Sequence, residues 1–268
     1  MVAGAAVILV TMRRFRLVTL NIAHGRGLNP IQGTSSAERL RRNLRRIAAL
    51  LRRINPDVVA LQEIDQRSVW AGNFDQLDYL TTHTDMPYSV FGVHNRREGR
   101  INLAYGNAIL SRHPILTSET VSFGQNRVGE KGFIYVTLEI PGGHLPLVNL
   151  HLHYRSRAKR FVQMDRLLEF LQEKQTAHGG TWPTLPIVCG DFNTPQSESD
   201  VTGALQTHLQ ELGDYTLHPR QGRTFPSVIP VRLLDFVYLP PRAQRPRSRV
   251  LRSLVSDHRP ALVDFYLP

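Results

Sequence analysis

Polar side chains able to hold a metal ion or a phosphate follow an apolar run near residue 190. The apolar run 185–188 leads into CGDFNTPQ, residues 189–196, which places Asp191 and Asn193 two residues apart. Because successive side chains on a strand point to opposite faces, this spacing directs both groups to one side. Gly, Asp, Asn and Pro are also the usual residues of turns, so a simple turn is the alternative interpretation.

Comparable polar residues stand at the ends or starts of other apolar runs. They are Asn21 with His24, Glu63 with Asp65, His151, Asp235, and Asp257 with His258. Taken singly, Asn21 could be a cap, Glu63 a surface acid and His151 a core histidine. Taken together, the carboxylates and amides suit a hard cation such as Mg²⁺, and two histidines among acids could supply a base and a positive clamp.

The predicted elements place these residues at strand ends. Apolar runs predict strands at residues 15–22, 57–64, 87–94, 107–112, 115–123, 131–140, 144–152, 186–192, 233–239 and 261–267. Helical spacing predicts helices at residues 37–54, 158–175 and 199–212. Many strands with helices at intervals favour an α/β or α+β sandwich over a parallel barrel.

Composition limits the class of protein. The chain has 268 residues, 41% hydrophobic content and neither a linker nor a repeat, which predicts one large domain. The single cysteine, Cys189, excludes intrachain disulfide bonds and cysteine zinc clusters. The apolar N-terminal stretch VAGAAVILV is too short to span a bilayer, and Met12 begins a segment that reads like a natural start. We therefore expect residues 1–14 to be an extension of the domain 15–268, and a cytoplasmic location, with secretion as the alternative.

The charge of the chain points to anionic partners. The formal net charge is +11, and a basic surface favours nucleic acid, phospholipid or phosphate esters. Within the predicted helix 37–54 the apolar residues form one stripe, so its arginines are expected on a solvated face. A nucleic-acid patch is the alternative interpretation of that face. Ser35 and Glu38 predict a capping box at the start of this helix.

Seven segments resemble, in order, the motifs of the endonuclease/exonuclease/phosphatase superfamily. They are TLNIAHGRG, ALQEID, YGNAILSRHPI, VNLHLHYRSRAKRFVQ, CGDFNTPQ, RTFPS…RLLDF and SDHRPAL, spread over residues 15–267. The pairing of GDFN with SDHRP is the most specific part of the resemblance. It implies a DNase I-like α+β fold, a four-layered αββα sandwich in which two mixed β-sheets pack face to face with helices outside.

The resemblance also implies a metal site. Glu63 is the implied main ligand of Mg²⁺, with Asn21 and Asp257 close to the metal and Mn²⁺ as a substitute. One position departs from a known branch of the superfamily, because Asp65 stands where abasic-site endonucleases usually carry Lys. The tryptophan and the Pro-Ala-Trp-Cys-Asp-Arg block of inositol polyphosphate phosphatases are also missing.

A set of catalytic groups follows from the same resemblance. The implied residues are His258, Asp235, Asp191, Asn193, His151 and Tyr105. Within this set, His258 oriented by Asp235 is the expected general base, and Asp191 is the alternative. The acid and the amide of the GDFN segment are implied to hold the attacking water, while the remaining histidine and the tyrosine contact the scissile phosphate.

Strand polarity sorts the arginines independently of the resemblance. If Tyr105 starts its strand at the active end, the following strands alternate away and back, and they return to present His151 at that end. Loops at that end then carry the arginines expected to bind substrate, which are Arg96, Arg97, Arg127, Arg155 and Arg157. The same alternation places Arg242, Arg245 and Arg247 at the opposite end, away from substrate.

The implied activity is Mg²⁺-dependent hydrolysis of phosphodiester bonds by in-line attack of water. A nuclease acting on DNA or RNA is the leading substrate class, and the alternative is a sphingomyelinase-like lipid head-group phosphodiesterase or a small-molecule phosphatase. A catalytically inactive binding module is disfavoured because no implied catalytic position is lost. An anionic phosphodiester is the expected partner, and the sequence identifies no protein partner.

Overall fold

Two mixed β-sheets form the framework of the protein. The computed structural model describes residues 12–99, 102–124 and 129–268. The strands within those ranges are β1 (Arg13–Asn21), β2 (Val58–Asp65), β3 (Tyr88–Arg97), β4 (Leu103–Ser111), β5 (Ile115–Ser122), β6 (Gly132–Ile140), β7 (Gly143–His151), β8 (Ile187–Asp191), β9 (Thr216–His218), β10 (Asp235–Leu239), β11 (Gln244–Val250) and β12 (Ala261–Leu267). The helices are α1 (Ala37–Ile54), α2 (Gln76–Thr82), α3 (Arg157–Ala177) and α4 (Val201–Leu212).

The sheets pack face to face beneath outer layers of helix. The first sheet has the order β11-β12-β1-β2-β4-β3 and the second β5-β6-β7-β8-β10-β9. Only the pairs β1–β2 and β7–β8 are parallel among the described strands. Buried side chains of both inner faces, such as Leu17 and Leu147, form the central core. Helix α1 covers the outer face of the first sheet, and α3 with α4 covers that of the second. The predicted four-layered αββα sandwich is confirmed.

Helix α1 shows how the sequence builds an outer layer. Its buried stripe includes Leu44, Ile47 and Leu51, which pack on the first sheet, while most of its arginines are exposed. The expected capping box is wrong by one residue, because the hydroxyl of Ser36, not Ser35, accepts a hydrogen bond from a backbone N–H in the first turn. At the other end Asn55 adopts the left-handed conformation that closes a helix.

Three short elements were not predicted, and one strand begins earlier than expected. Strand β11, QRPRSRV, lacks an apolar pattern because it lies at the sheet edge and pairs only with β12. Helix α2 and strand β9 are too short to give a period. Strand β4 starts at Leu103 instead of residue 107. Residues 1–11 of the predicted extension 1–14 lie outside the described residues. Residues 13 and 14 belong to β1.

The predicted alternation of strand direction is confirmed. Tyr105 at the start of β4 is paired with Asp65 at the end of β2, and Gly132 at the start of β6 is paired with His151 at the end of β7. The side chain of Asn21, which ends β1, donates to Asp191, which ends β8. Because this bond joins the two sheets, their functional ends lie together, and we call this the active end. No helix in the described ranges is long and apolar enough to cross a membrane.

Candidate active site

A pocket of about 210 Å³ opens at the active end, between the two sheets. It is lined by Asn21, Arg26, Glu63, Lys131, Tyr154, Asp191, Asn193, Phe225, Asp257 and His258. Six of these ten are residues that the sequence predicted for the site, and they come from both sheets. The tertiary structure therefore gathers a set of acids, amides and bases that are as much as 237 positions apart in the chain, from Asn21 to His258.

A β-bulge directs Glu63 into the pocket. The register between β2 and β4 shifts between Gln62 and Ile64, so Glu63 is paired with no residue of β4. Its φ is 51°. Bulges of this kind redirect a side chain at the end of a strand. Glu63 Oε1 lies 3.2 Å from the ammonium of Lys131. Burial opposes ionisation of this carboxyl, but Lys131, His24 and other nearby cations hold its pKa well below its usual range.

Asp191 is the acid at the centre of the cluster. The amide of Asn21 donates to its Oδ2 at 3.1 Å, and the backbone N–H of Asn193 donates to its Oδ1 at 2.9 Å. The ring Nε2 atoms of His151 and His258 lie 3.5 and 3.7 Å from the same Oδ2. Gly190 precedes it with a φ of +142°, and a Cβ there would lie 2.0 Å from the carbonyl oxygen of Leu150. Only glycine fits this strand end, which delivers Asp191 to the pocket.

His258 and Asp235 form a buried pair behind Asp191. Nδ1 of His258 lies 2.9 Å from Oδ2 of Asp235, so the ring is fixed with Nε2 toward Asp191. Burial disfavours the charged ring, but Asp235 and Asp191 outweigh it and raise the pKa of His258 to about 10. Burial also raises the pKa of Asp191 to about 7. The pKa of His258 is therefore higher than that of Asp191, which favours the alternative in which Asp191 is the base, and the role of each group stays a prediction.

Lys131 connects the two sheets next to His151. Its Nζ lies 3.3 Å from Nδ1 of His151 and bridges this ring to Glu63. Burial, reinforced by the ammonium of Lys131, keeps the pKa of His151 well below its usual range. His151 is therefore neutral, and because the ammonium of Lys131 can only donate, Nδ1 accepts while Nε2 carries the proton that the ring can donate.

A second histidine–acid pair, His24 with Asp65, lies next to Glu63. Together with Trp70, which bonds to Asp65, we call these residues the relay. Nδ1 of His24 lies 2.6 Å from Oδ2 of Asp65, whose Oδ1 accepts from the indole N–H of Trp70 at 2.7 Å. Nε2 of His24 then faces Glu63 at 3.6 Å. Burial opposes the charge of His24, but Asp65 outweighs it and raises the pKa of the ring. Tyr105 packs against both aromatic rings of the relay, and its hydroxyl accepts from the backbone N–H of Gly129 at 2.5 Å.

Residues whose oxygen atoms suit a hard cation line the pocket. Glu63, Asn21 and Asp257 line it together with Asp191, and the single cysteine of the chain is not among the lining residues. Asp257 is held by Arg26 at 2.8 Å. Carboxylate and amide oxygens are the donor set that Mg²⁺ or Mn²⁺ requires, so these residues fit such an ion.

A tighter cluster lies deeper in the site. One potential ligand atom each from Asp191, Asp235 and His258 lies within 4.8 Å of the others. The hydrogen bond between His258 and Asp235 already engages both partners, and Asp235 does not line the pocket. This cluster is better suited to fixing a proton than to binding an ion, because its histidine carries a positive charge.

The arginines that were predicted to bind substrate have different surroundings in the structure. Arg127 lies outside the described residues. Arg96 and Arg97 lie at the end of strand β3 and not in a loop, and they line a separate groove. Arg155 is exposed, with its guanidinium over the ring of Tyr154. Arg157 instead donates to the carbonyl of Ser199 and faces Asp200, so the structure does not bring it into the pocket.

Sequence reasoning missed several residues of the pocket. Lys131 lies outside the seven quoted segments, and Arg26 lies within TLNIAHGRG but was assigned no role. Phe225, whose ring centroid lies 4.8 Å from that of His258, is part of the quoted segment RTFPS but was assigned no role. A usable signal was the position of Lys131, since it starts a predicted strand at the end where His151 was expected.

Comparison with known proteins gives a consistent result. A family model described as "Endonuclease/Exonuclease/phosphatase family" matches residues 18–258. An Escherichia coli (strain K12) protein, "Uncharacterized protein YbhP", is 27% identical over 262 residues, which cover 94% of this chain and 96% of that protein. A solved endonuclease/exonuclease/phosphatase from Beutenbergia cavernae has a TM-score of 0.71 at 20% identity, covering 95% of this chain and 72% of that one. Sphingomyelinase C from Streptomyces griseocarneus has a TM-score of 0.66 at 21% identity, covering 94% and 99%.

Proposed function

The chain belongs to the endonuclease/exonuclease/phosphatase family, whose members hydrolyse phosphate esters, and from this premise we propose that it is a Mg²⁺-dependent phosphodiesterase. The observation that carries the proposal is the convergence of Glu63, Asp191, Asp257 and His258 on one pocket at the junction of the two sheets. Acids around an oxygen-lined pocket, with a charged imidazole beside them, are the groups that hydrolysis of a phosphodiester needs.

The proposed ion site is the side of the pocket formed by Glu63, Asn21 and Asp257. An ion bound there supplies Lewis acidity, which neutralises charge that develops on the phosphoryl oxygens. Arg26 holds Asp257, and the His24–Asp65–Trp70 relay supports Glu63, so these ligands are fixed before any ion or substrate binds.

The protein groups divide the remaining work by their protonation. Asp191, buried and facing both histidines, is the proposed acceptor of the proton from the attacking water. Asn193 lines the pocket next to it, and its amide nitrogen is already bonded to the carbonyl of Leu152, which leaves its oxygen for that water. His258 carries a proton and, oriented by Asp235, is the proposed clamp on a phosphoryl oxygen. Neutral His151 is the proposed second contact to the phosphate.

Two substrate classes are proposed within phosphodiesters. Nucleic acid is the first, and the exposed arginines at the active end, among them Arg96, Arg97 and Arg155, favour it. A lipid head group is the second, and exposed apolar side chains on the loops around the pocket favour it. A small phosphomonoester would use the same acids, with fewer contacts beyond the pocket.

The test is metal-dependent hydrolysis by the full chain. Plasmid DNA, RNA, sphingomyelin and bis-p-nitrophenyl phosphate are offered in Mg²⁺, in EDTA, and in EDTA followed by excess Mg²⁺. We expect hydrolysis in Mg²⁺, loss in EDTA and recovery on addition of the ion. Glu63→Ala should lose most of the activity and stay folded, whereas Glu38→Ala, which removes an exposed acid of α1, should match wild type. Full activity in EDTA, or in Glu63→Ala, would reject the proposal.

A further inference from the structure

Exposed apolar side chains stand on the loops that line the active-site pocket. Three loops at the active end each contribute one residue to its lining, which are Arg26, Tyr154 and Phe225. The same loops, residues 22–36, 152–156 and 219–234, also carry exposed apolar residues. These are Leu28, Ile31, Tyr154, Val228, Ile229 and Val231. We call this set the apolar rim.

The most prominent part of the rim is the tip of the loop 219–234. Val228, Ile229 and Val231 are 58%, 73% and 58% exposed. Three nonpolar aliphatic side chains at one exposed tip are costly in water unless they contact another molecule.

The base of this tip is fixed to the catalytic segment. The N–H of Ser227 donates to the carbonyl of Asp257 at 2.7 Å, and its hydroxyl donates to that of Ser256 at 2.6 Å. Phe225 and Arg232 close the loop by backbone pairing, and Phe225 also packs on His258. The base of the tip is therefore held against the segment that carries His258, and a partner that contacts the tip lies near the pocket.

The positive charge of the three rim loops favours an anionic partner. The three loops contain five arginines and neither Asp nor Glu. These arginines are Arg26, Arg155, Arg220, Arg223 and Arg232. Arg26 is paired with Asp257, whereas Arg223 and Arg232 are exposed on either side of the apolar tip. An anionic lipid surface is bound by this combination, because the apolar side chains insert into the bilayer interface and the neighbouring arginines attract the lipid phosphates.

Nucleic acid fits this tip less well than lipid does. Valine and isoleucine offer neither a hydrogen-bond donor for phosphate nor a ring for stacking on a base. We infer that the apolar rim docks the protein on an anionic phospholipid bilayer, with Val228, Ile229 and Val231 in the head-group region and the pocket facing the lipid phosphates. Docking itself is independent of catalysis, while the hydrolysis of a lipid phosphodiester there rests on the proposed function.

Vesicle sedimentation of the full chain tests the docking. Vesicles of phosphatidylcholine, with and without phosphatidylglycerol, are used in EDTA so that binding is measured without hydrolysis. We expect binding to the anionic vesicles that weakens with salt. Ile229→Asp should lower the affinity for anionic vesicles at least about tenfold. The reason is that burial of one isoleucine side chain strengthens partitioning into the bilayer by more than a factor of about ten.

The matched control is Leu116→Asp. Leu116 is 47% exposed near the start of β5, which is the end of the sandwich opposite the pocket, so its substitution should change vesicle binding less than about twofold. Absence of wild-type binding to anionic vesicles would overturn the inference, and so would equal losses in the two variants. Loss of DNA binding in Ile229→Asp with unchanged vesicle binding would also overturn it, because the rim would then contact nucleic acid.

Hydrolysis of bis-p-nitrophenyl phosphate separates this inference from the proposed function. A wild-type protein that cleaves this soluble diester but ignores vesicles is a phosphodiesterase without the docking surface. A protein that binds anionic vesicles through Ile229 but cleaves no diester in Mg²⁺ keeps the docking surface and loses the proposed activity.

Discussion

Replacement of Asp235 by Asn should lower the pKa of His258 and destabilise the metal-free protein at neutral pH. Asp235 is fully buried and lies 2.9 Å from Nδ1 of His258. The substitution keeps the shape of the side chain but removes the charge that does most to offset the burial of the ring. Asp191 then remains as the main neighbouring acid, and it shares its environment with His151.

The magnitude follows from the pKa of His258, which is raised from 6.5 to about 10. At about 1.4 kcal/mol for each pKa unit, the upper limit of the contribution is about 5 kcal/mol. Part of it belongs to Asp191, so we expect Asp235→Asn to cost about 2–4 kcal/mol of unfolding free energy at neutral pH. Because the folded pKa lies above the unfolded one, this contribution is fully present below about pH 6.5 and is lost as the pH rises through about 10.

The assay combines NMR titration of the His258 ring in EDTA with urea unfolding of wild type and variant. Wild-type His258 should stay protonated well above neutral pH, and in the variant its pKa should be lower by roughly 1.5–3 pKa units. The stability difference should shrink as the solution approaches pH 10. Asp65→Asn is the control, because Asp65 contacts His24 and not His258. A wild-type His258 that titrates near 6.5, or a variant with unchanged titration, would refute the reasoning.

Three further predictions concern catalysis, backbone geometry and the arginines. His258→Ala should reduce turnover of a diester at least about 100-fold, measured as kcat with Mg²⁺ present, and near-wild-type turnover would contradict its role. Gly190→Ala should cost more than about 3 kcal/mol in urea unfolding, because its Cβ would meet the carbonyl oxygen of Leu150. Gly143→Ala, at a similar φ in open space, should cost only about 1 kcal/mol, and equal losses would remove the steric argument. If DNA is bound, Arg155→Gln should reduce the slope of log affinity against log salt by about one while Arg242→Gln leaves it unchanged, as measured with Ca²⁺ in place of Mg²⁺.

The position of the site could be predicted because its residues stand at the ends of predicted strands. Asn21, Glu63, His151 and Asp191 each end an apolar run, and strand alternation correctly placed them at one end of the fold. The buried stripe of α1 was equally readable, since helical spacing and burial repeat within a few residues. Edge strand β11 was not readable, because its partner β12, not its own composition, makes it a strand.

Protonation of the site could not be predicted from the sequence. The sequence predicted that His258 pairs with Asp235, but it could not show that Asp191 also lies close to the ring or that the whole cluster is buried. Three groups so close share their protons as a unit, and the outcome depends on distances of a few ångströms. The same holds for Arg157, which strand polarity predicted to bind substrate and which the fold instead places against Asp200 and Ser199.

The sequence by itself determined which residue types stand at the ends of strands, because strands and helices follow from local periodicity. The order of its motifs, through the resemblance that they carry, implied the four-layered sandwich. Only the tertiary structure decided that Lys131 lies between Glu63 and His151. It alone also decided that the tip at Ile229 projects beside the pocket. These contacts join segments far apart in the chain, and their geometry follows from how the two sheets pack and how the loops anchor, which no local pattern encodes.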